Sequence, residues 1–239
     1  MKTAKKEKVS SVVFDLDGTI LNSSTVGLYR VRILCALHEV PFNERELLKH
    51  WGLPVAKLLQ KGLHVSREVA EVLGRQWGLW DNTDPIPLVE GAYGTVEWGV
   101  IHGIKNFMLT SRHVSSAARV LAYYKLYDYF EDIVGIDGCQ KQRVEARVFY
   151  EKPDPRALDP ILGYLDIKYG MSPKEVVYVG DTVQDIECGL RAGVGTIGVL
   201  TGMEKAENFI SCGLPKENII PSIAHLHKWI GEHRNGHSG

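Results

Sequence analysis

Short apolar runs recur along the chain. From about residue 88 onward they alternate with segments whose apolar positions fall at helical spacing. The runs at 12–14 (VVF), 105–109 (KNFML), 133–136 (IVGI), 176–179 (VVYV) and 196–200 (TIGVL) read as short buried strands. The stretches at 115–124, 160–169 and 185–192 read as the helices between them. Strand alternating with helix implies a parallel sheet covered on both faces, so the expected fold class is α/β with an open sheet. In such sheets ligands bind beyond the carboxyl ends of the strands.

Residues 22–88 follow a different pattern, without a strand and with several amphipathic helical stretches. Apolar residues sit at helical spacing over 28–40, Asn43 and Glu46 form a capping box ahead of Leu47 and Leu48, and Ser66 can cap a helix over 67–73. The segment ends in DNTDPIPLVEG, which is rich in turn formers. The predicted organisation is therefore discontinuous: 1–21 and 89–239 form the α/β core, and 22–88 form a small helical insert. The insert leaves the core directly after the first strand, which places it over that strand's end.

The 239 residues suit one large domain, or one domain with an insert, and 28 basic against 29 acidic residues leave a formal charge of -1. That balance argues against a nucleic-acid partner held by bulk charge. The four cysteines form no CxxC pair, which points away from metal clusters and disulfides and toward a reducing, cytoplasmic setting. The apolar run after the basic N-terminus is cut at once by Asp15 and Asp17, so neither a secretory signal nor a membrane span is expected. The tail GEHRNGHSG reads as solvated and frayed.

Candidate chemistry gathers at strand ends. Asp15-Leu16-Asp17-Gly18-Thr19 follows the first strand, Thr110-Ser111 the second, and Gly180-Asp181, with Asp185 beyond it, the VVYV strand; Lys152 stands in EKPDP. Oxygen ligands at a crevice suit Mg²⁺, and Asp15, Asp181 and Asp185 can supply them. A carboxylate beside a bound phosphate can attack phosphorus, which suits Asp15, while Asp17, two residues on, can serve as general acid. Thr110 and backbone N–H groups can hold phosphate oxygens, and Lys152 adds positive charge where the transferring group concentrates negative charge.

DLDGT, the strand ending in Thr110, the lysine of KPDP and GDTVQD together resemble the four motifs of the haloacid dehalogenase superfamily, in family order over nearly the whole chain. The resemblance implies a Rossmann-like core, Mg²⁺, Asp15 as nucleophile, and Asp17 as acid/base and, through its backbone carbonyl, a metal contact. It puts the phosphate-binding hydroxyl on Thr110, the lysine on Lys152, and the remaining metal-binding acids on Asp181 and Asp185. Ser111 and Arg112 stand beside Thr110 as further substrate contacts. The insert is similar to the helical cap of the phosphoglycolate phosphatase and β-phosphoglucomutase branch, WGLPVAKLL included. Asn22, where many relatives carry Asp, and the long basic stretch from Cys139 to Tyr150 depart from the pattern.

The expected function is thus Mg²⁺-dependent hydrolysis of a small phosphorylated metabolite, phosphoglycolate-phosphatase-like, by a monomer or homodimer. A phosphomutase and a non-catalytic phosphoester-binding protein are the alternatives. Several blander readings compete. Asp15 and Asp17 could merely form a turn; an EF-hand loop is excluded because Gly18 comes too early and a strand precedes it. Gly193-Val-Gly195-Thr-Ile-Gly198 fits a dinucleotide fingerprint but follows a helix and opens a strand, the reverse of what that fingerprint needs. Arg30, Arg32, Lys57, Arg67 and Arg75 are candidates for gripping an anion from the insert; Trp51, Trp77 and Trp80 are expected in its core, and His38, His50 and His64 carry no ligand pairing.

Overall fold

A computed structural model describes residues 8–141 and 149–234. Most of the basic stretch before Lys152 (142–148) and the histidine-bearing end of the tail (235–239) lie outside the described residues.

Seven strands form one sheet in the order β4-β3-β2-β1-β5-β6-β7. They are β1 (Ser11–Phe14), β2 (Lys105–Leu109), β3 (Asp132–Gly135), β4 (Gly138–Cys139), β5 (Val176–Gly180), β6 (Gly195–Val199) and β7 (Ile219–Ile220). All neighbours pair in parallel except β3 with β4, a hairpin turned at Ile136-Asp137 that hydrophobic pattern did not foretell. β1 lies centrally, with Val13 opposite Phe107 of β2 and Tyr178 of β5. Because the chain passes from β1 to β2 on one side and later to β5 on the other, the strand order reverses at β1, where an open α/β sheet forms its crevice.

Alternation along the strands divides the core. Val12 and Phe14 face one layer, and Val13, with Phe107, Leu109 and Tyr178, faces the other. The second layer is closed by α7 (Asp159–Tyr169) and by Cys188 of α8 (Val183–Ala192). The first is closed by α5 (Ala92–Ile101), α6 (Val114–Tyr123) and α10 (Leu226–Arg234), while α9 (Ala206–Ser211) covers a small cluster near β6. Gly193 ends α8 in the left-handed conformation and β6 follows at once, as the dismissal of the dinucleotide fingerprint required.

Between β1 and α5 the chain forms α1 (Ser23–Leu37), α2 (Glu44–Leu48), α3 (Val55–Gly62) and α4 (Arg67–Thr83). Asn43 and Ser66 cap α2 and α4 through their side chains. α4 runs ten residues past the expected 73 despite Gly74, Gly78 and a polar end. Burial of Leu73 and Trp77 on one face outweighs the weak local propensity. Leu34, Leu47, Leu59 and Leu73 are fully buried and continuous with the apolar layer on β1, so this helical layer rests directly on the strand ends. Among the described residues, no helix is long and apolar enough to cross a membrane.

Candidate active site

Asp15 follows the last residue of β1, and its backbone N–H still donates to the Val179 carbonyl of β5 at 2.8 Å. The chain then doubles back: Ile20 and Leu21 donate to the Leu16 carbonyl, and Gly18 donates to that of Leu21. Gly18 takes φ +84°, and a Cβ there would overlap the Asp181 carboxylate, so the DLDGT turn needs glycine for both backbone and space. The same turn brings Asp15 back under cover, where it is buried.

Its partner is Lys152, also buried, whose Nζ donates to Asp15 Oδ1 at 2.6 Å and Asp185 Oδ1 at 2.7 Å. Asp185 is the third residue of α8. Thr182 is the cap, and the two form a reciprocal capping box in which Asp185 Oδ2 accepts from the Thr182 N–H and hydroxyl. Tyr178 of β5 donates its hydroxyl to Asp185 Oδ1 at 2.6 Å. Asp181 is buried; Oδ1 lies 3.4 Å from the Thr19 hydroxyl and Oδ2 has no hydrogen-bond partner.

Burial, with Asp185 and Asp17 nearby, pushes the Asp15 carboxyl up to about 7 against the opposing pull of Lys152. Burial and the charges of Asp15 and Asp185 raise Asp181 well above the usual carboxylate range. For Asp185, burial is outweighed by Lys152 and by its hydrogen bonds, so its carboxyl is held low. One lysine thus cannot neutralise three buried acids.

Carboxylate oxygens of Asp15, Asp181 and Asp185 lie within 4.8 Å of one another. Together with the orphaned Asp181 Oδ2, this all-oxygen donor set fits a hard divalent cation such as Mg²⁺. The Asp17 carboxylate is not in that cluster. It is gripped by Arg112, which donates Nε to Oδ2 at 2.6 Å and Nη2 to Oδ1 at 2.7 Å. Burial would raise the Asp17 carboxyl, but the guanidinium outweighs it and holds the group below its ordinary range. Thr110, buried at the end of β2, accepts the Arg112 N–H on its hydroxyl and so shapes the loop that presents Arg112.

A cavity of about 90 Å³ opens on this site, lined from the core by Asp15, Asp17, Ser111, Arg112, Lys152 and Thr182. Thr110, Asp181 and Asp185 are not among its lining residues. From the helical layer come Ser23, Gly52 and five apolar side chains: Trp51, Leu53, Val55, Leu58 and Trp77. Two tryptophans expected only as core therefore also face the cavity.

None of the five cationic candidates of the insert lines the cavity. Arg32 pairs with Glu44, Lys57 with Glu151 of the core and Arg67 with Glu71, while Arg75 is exposed. Arg30 is buried against Asp81 at 2.5 Å. Helices dissipate their charges on neighbours before a ligand can use them.

Asp81 had no sequence signal, since it sits in a run that reads as a turn. Its second oxygen accepts from Arg112 Nη1 at 2.5 Å, which joins α4 to the Asp17 clamp. Tyr178 was legible only as a strand residue, whereas the T-x-x-D spacing of Thr182 and Asp185 was a readable capping signal.

The family model of haloacid dehalogenase-like hydrolases matches residues 12–199. A phosphoglycolate phosphatase of Yersinia pseudotuberculosis is 27% identical over 213 residues, covering 85% of this chain and 86% of the relative. The pyrophosphatase PpaX of Listeria welshimeri is 23% identical over 203 residues, covering 84% and 88%. The crystal structure of a hydrolase from Pseudomonas syringae superposes with a TM-score of 0.72 at 21% identity, over 93% of this chain and 98% of that one. The family model spans most of the chain, and three strand-end motifs meet Lys152, which stands in a loop rather than at a strand end, at the switch point of a Rossmann-like sheet: the chain belongs to the haloacid dehalogenase-like hydrolase family.

Proposed function

We propose that this hydrolase is a Mg²⁺-dependent phosphatase that removes phosphate from a small phosphorylated metabolite through an aspartyl phosphate on Asp15. The observation that carries the reading is one cavity lined by Asp15, Asp17 and Lys152 at the strand switch point. Asp15 attacks phosphorus as the bond to the leaving oxygen breaks, and Asp17 gives that oxygen a proton. Water then attacks the acyl phosphate while Asp17 takes a proton back. Lys152 holds Asp15 in place and offsets the charge gathered on the phosphoryl oxygens. A cation held by Asp15, Asp181 and Asp185, with the Asp17 backbone carbonyl as a further contact, would neutralise the two anions brought together.

Arg112 has a further part. While it clamps Asp17 that carboxyl stays ionised, so proton donation requires Arg112 to exchange Asp17 for the incoming phosphate. Thr110 and Ser111 would hold the same oxygens. Residues 22–88 would act as the cap that excludes bulk water. The four cysteines are all free, which suits a reducing cytoplasm, and we place the enzyme there as a monomer or homodimer.

The test is phosphate release from a panel including phosphoglycolate, pyrophosphate and sugar phosphates, with and without Mg²⁺. Release by the wild type and loss in Asp15→Asn is expected. A sugar phosphate isomerised without net release would replace the phosphatase with a phosphomutase.

A further inference from the structure

The cavity's charges are already committed. Its only cations among the described residues are Lys152 and Arg112. Lys152 is bound between Asp15 and Asp185. Arg112 spends three of its N–H groups on Asp17 and Asp81, and its side chain is 12% exposed. When Arg112 leaves Asp17 it goes to the phosphoryl group, so neither cation remains for a second anion on the substrate. An unpaired carboxylate or phosphate placed elsewhere in the cavity would meet hydroxyls such as that of Ser23 but no further cation among the described residues, and so would be desolvated without charge compensation.

The opposite wall is apolar by construction. Trp51 and Trp77 converge on α1 at Gly27, where a Cβ would stand 3.0 Å from one indole and 3.2 Å from the other. Any larger residue would push the rings apart. Leu53, Val55 and Leu58 extend the same wall toward the core. Gly52 brings this loop against the core, its Cβ position lying 3.2 Å from the Thr182 methyl. The wall therefore faces the catalytic carboxylates across one cavity.

We infer that the substrate is a phosphomonoester whose leaving group is uncharged and largely apolar, aromatic or branched-aliphatic, rather than a carboxylated ester such as phosphoglycolate or a second phosphate as in pyrophosphate. This assignment rests on the phosphatase reading and specifies its substrate class. Leaving-group recognition falls to the two indoles, and among the described residues the cavity has cations for the phosphoryl group alone.

The test compares benzyl phosphate with phosphoglycolate and pyrophosphate by kcat/KM in the presence of Mg²⁺. Benzyl phosphate is expected to lead by about 100-fold, the scale on which a pocket discriminates through contacts of this kind. Leu53→Lys, a half-buried position where a lysine can reach the cavity, should shift the preference at least about tenfold toward phosphoglycolate, as a new cation gives the carboxylate a partner. Calorimetric binding of benzylphosphonate against phosphonoacetate to the wild type repeats the comparison without turnover. If phosphate is released but phosphoglycolate or pyrophosphate is the better substrate, the substrate class is overturned and the phosphatase reading stands. If no ester is hydrolysed, the phosphatase reading falls and binding decides the class: tighter benzylphosphonate supports it, and equal or tighter phosphonoacetate overturns it.

Discussion

Asp81 connects the helical layer to Asp17 through Arg112, and its removal is the sharpest test of that connection. In Asp81→Leu two buried guanidinium contacts disappear at once, one to Arg30 and one to Arg112, each 2.5 Å long in the wild type. Removing one partner of a buried ion pair costs about 3–5 kcal/mol, because the other charge is left desolvated. Arg30 keeps the Asp84 carbonyl and Arg112 keeps both oxygens of Asp17, which puts the expected loss near the lower figure. For a chain of this size about 3 kcal/mol corresponds to a fall in melting temperature of about 6–12 °C. Thermal unfolding followed by circular dichroism measures it. The double variant Arg30→Met with Asp81→Leu should recover more than half of the loss, since an apolar pair of similar volume replaces buried charges at little cost. A single variant melting within about 2 °C of wild type, or a double variant as unstable as the sum of its parts, would refute the buried-pair argument.

Three further outcomes follow from the same geometry. Gly18→Ala should lose about 1–2 kcal/mol from its left-handed backbone alone, and more because Asp181 must move; unfolding in urea tests this, and an unchanged midpoint would remove the close-approach argument. Tyr178→Phe leaves Lys152 and Thr182 on Asp185, so about 1 kcal/mol is expected, measured the same way, and a neutral result would mean the hydroxyl bond carries no net stability. Glu131 is partly buried, which opposes ionisation, but Lys105, Tyr169 and Lys168 outweigh that and hold its carboxyl below the ordinary range. A carboxyl depressed in the folded state stabilises above its unfolded pKa of about 4.3 and loses that contribution as pH falls through its folded value. Glu131→Gln should therefore be less stable than wild type by about 0.5–1 kcal/mol at pH 7 and converge with it once the pH has fallen below the depressed folded value, and a difference that persists in strong acid would assign the effect to shape rather than charge.

Five of the seven strands, and the strand ends where candidate chemistry gathers, were legible along the chain, whereas the two-residue edge strands β4 and β7 are too short to leave a hydrophobic pattern. A strand needs only a few consecutive apolar residues, and the DLDGT turn needs only Gly18 beyond its acids. Both are short-range along the chain, and the parallel order then carries Asp15, Thr110 and Asp181 to one edge. Tertiary structure alone decided which charges the site can use. Arg112 reaches Asp17 across 95 residues and Asp81 across 31, and those contacts pair a residue that read as a substrate contact with the carboxylates of Asp17 and Asp81. Arginines of the helical insert that looked available were consumed by Glu44, Glu71 and Asp81 on neighbouring turns and helices. Two core-like tryptophans gained a face on the cavity because Gly27 lets them meet. A charge or a ring declares its type in the sequence. What it faces depends on how helices rotate about their axes when they pack, and that rotation is settled by the whole apolar layer together rather than by any local run of residues.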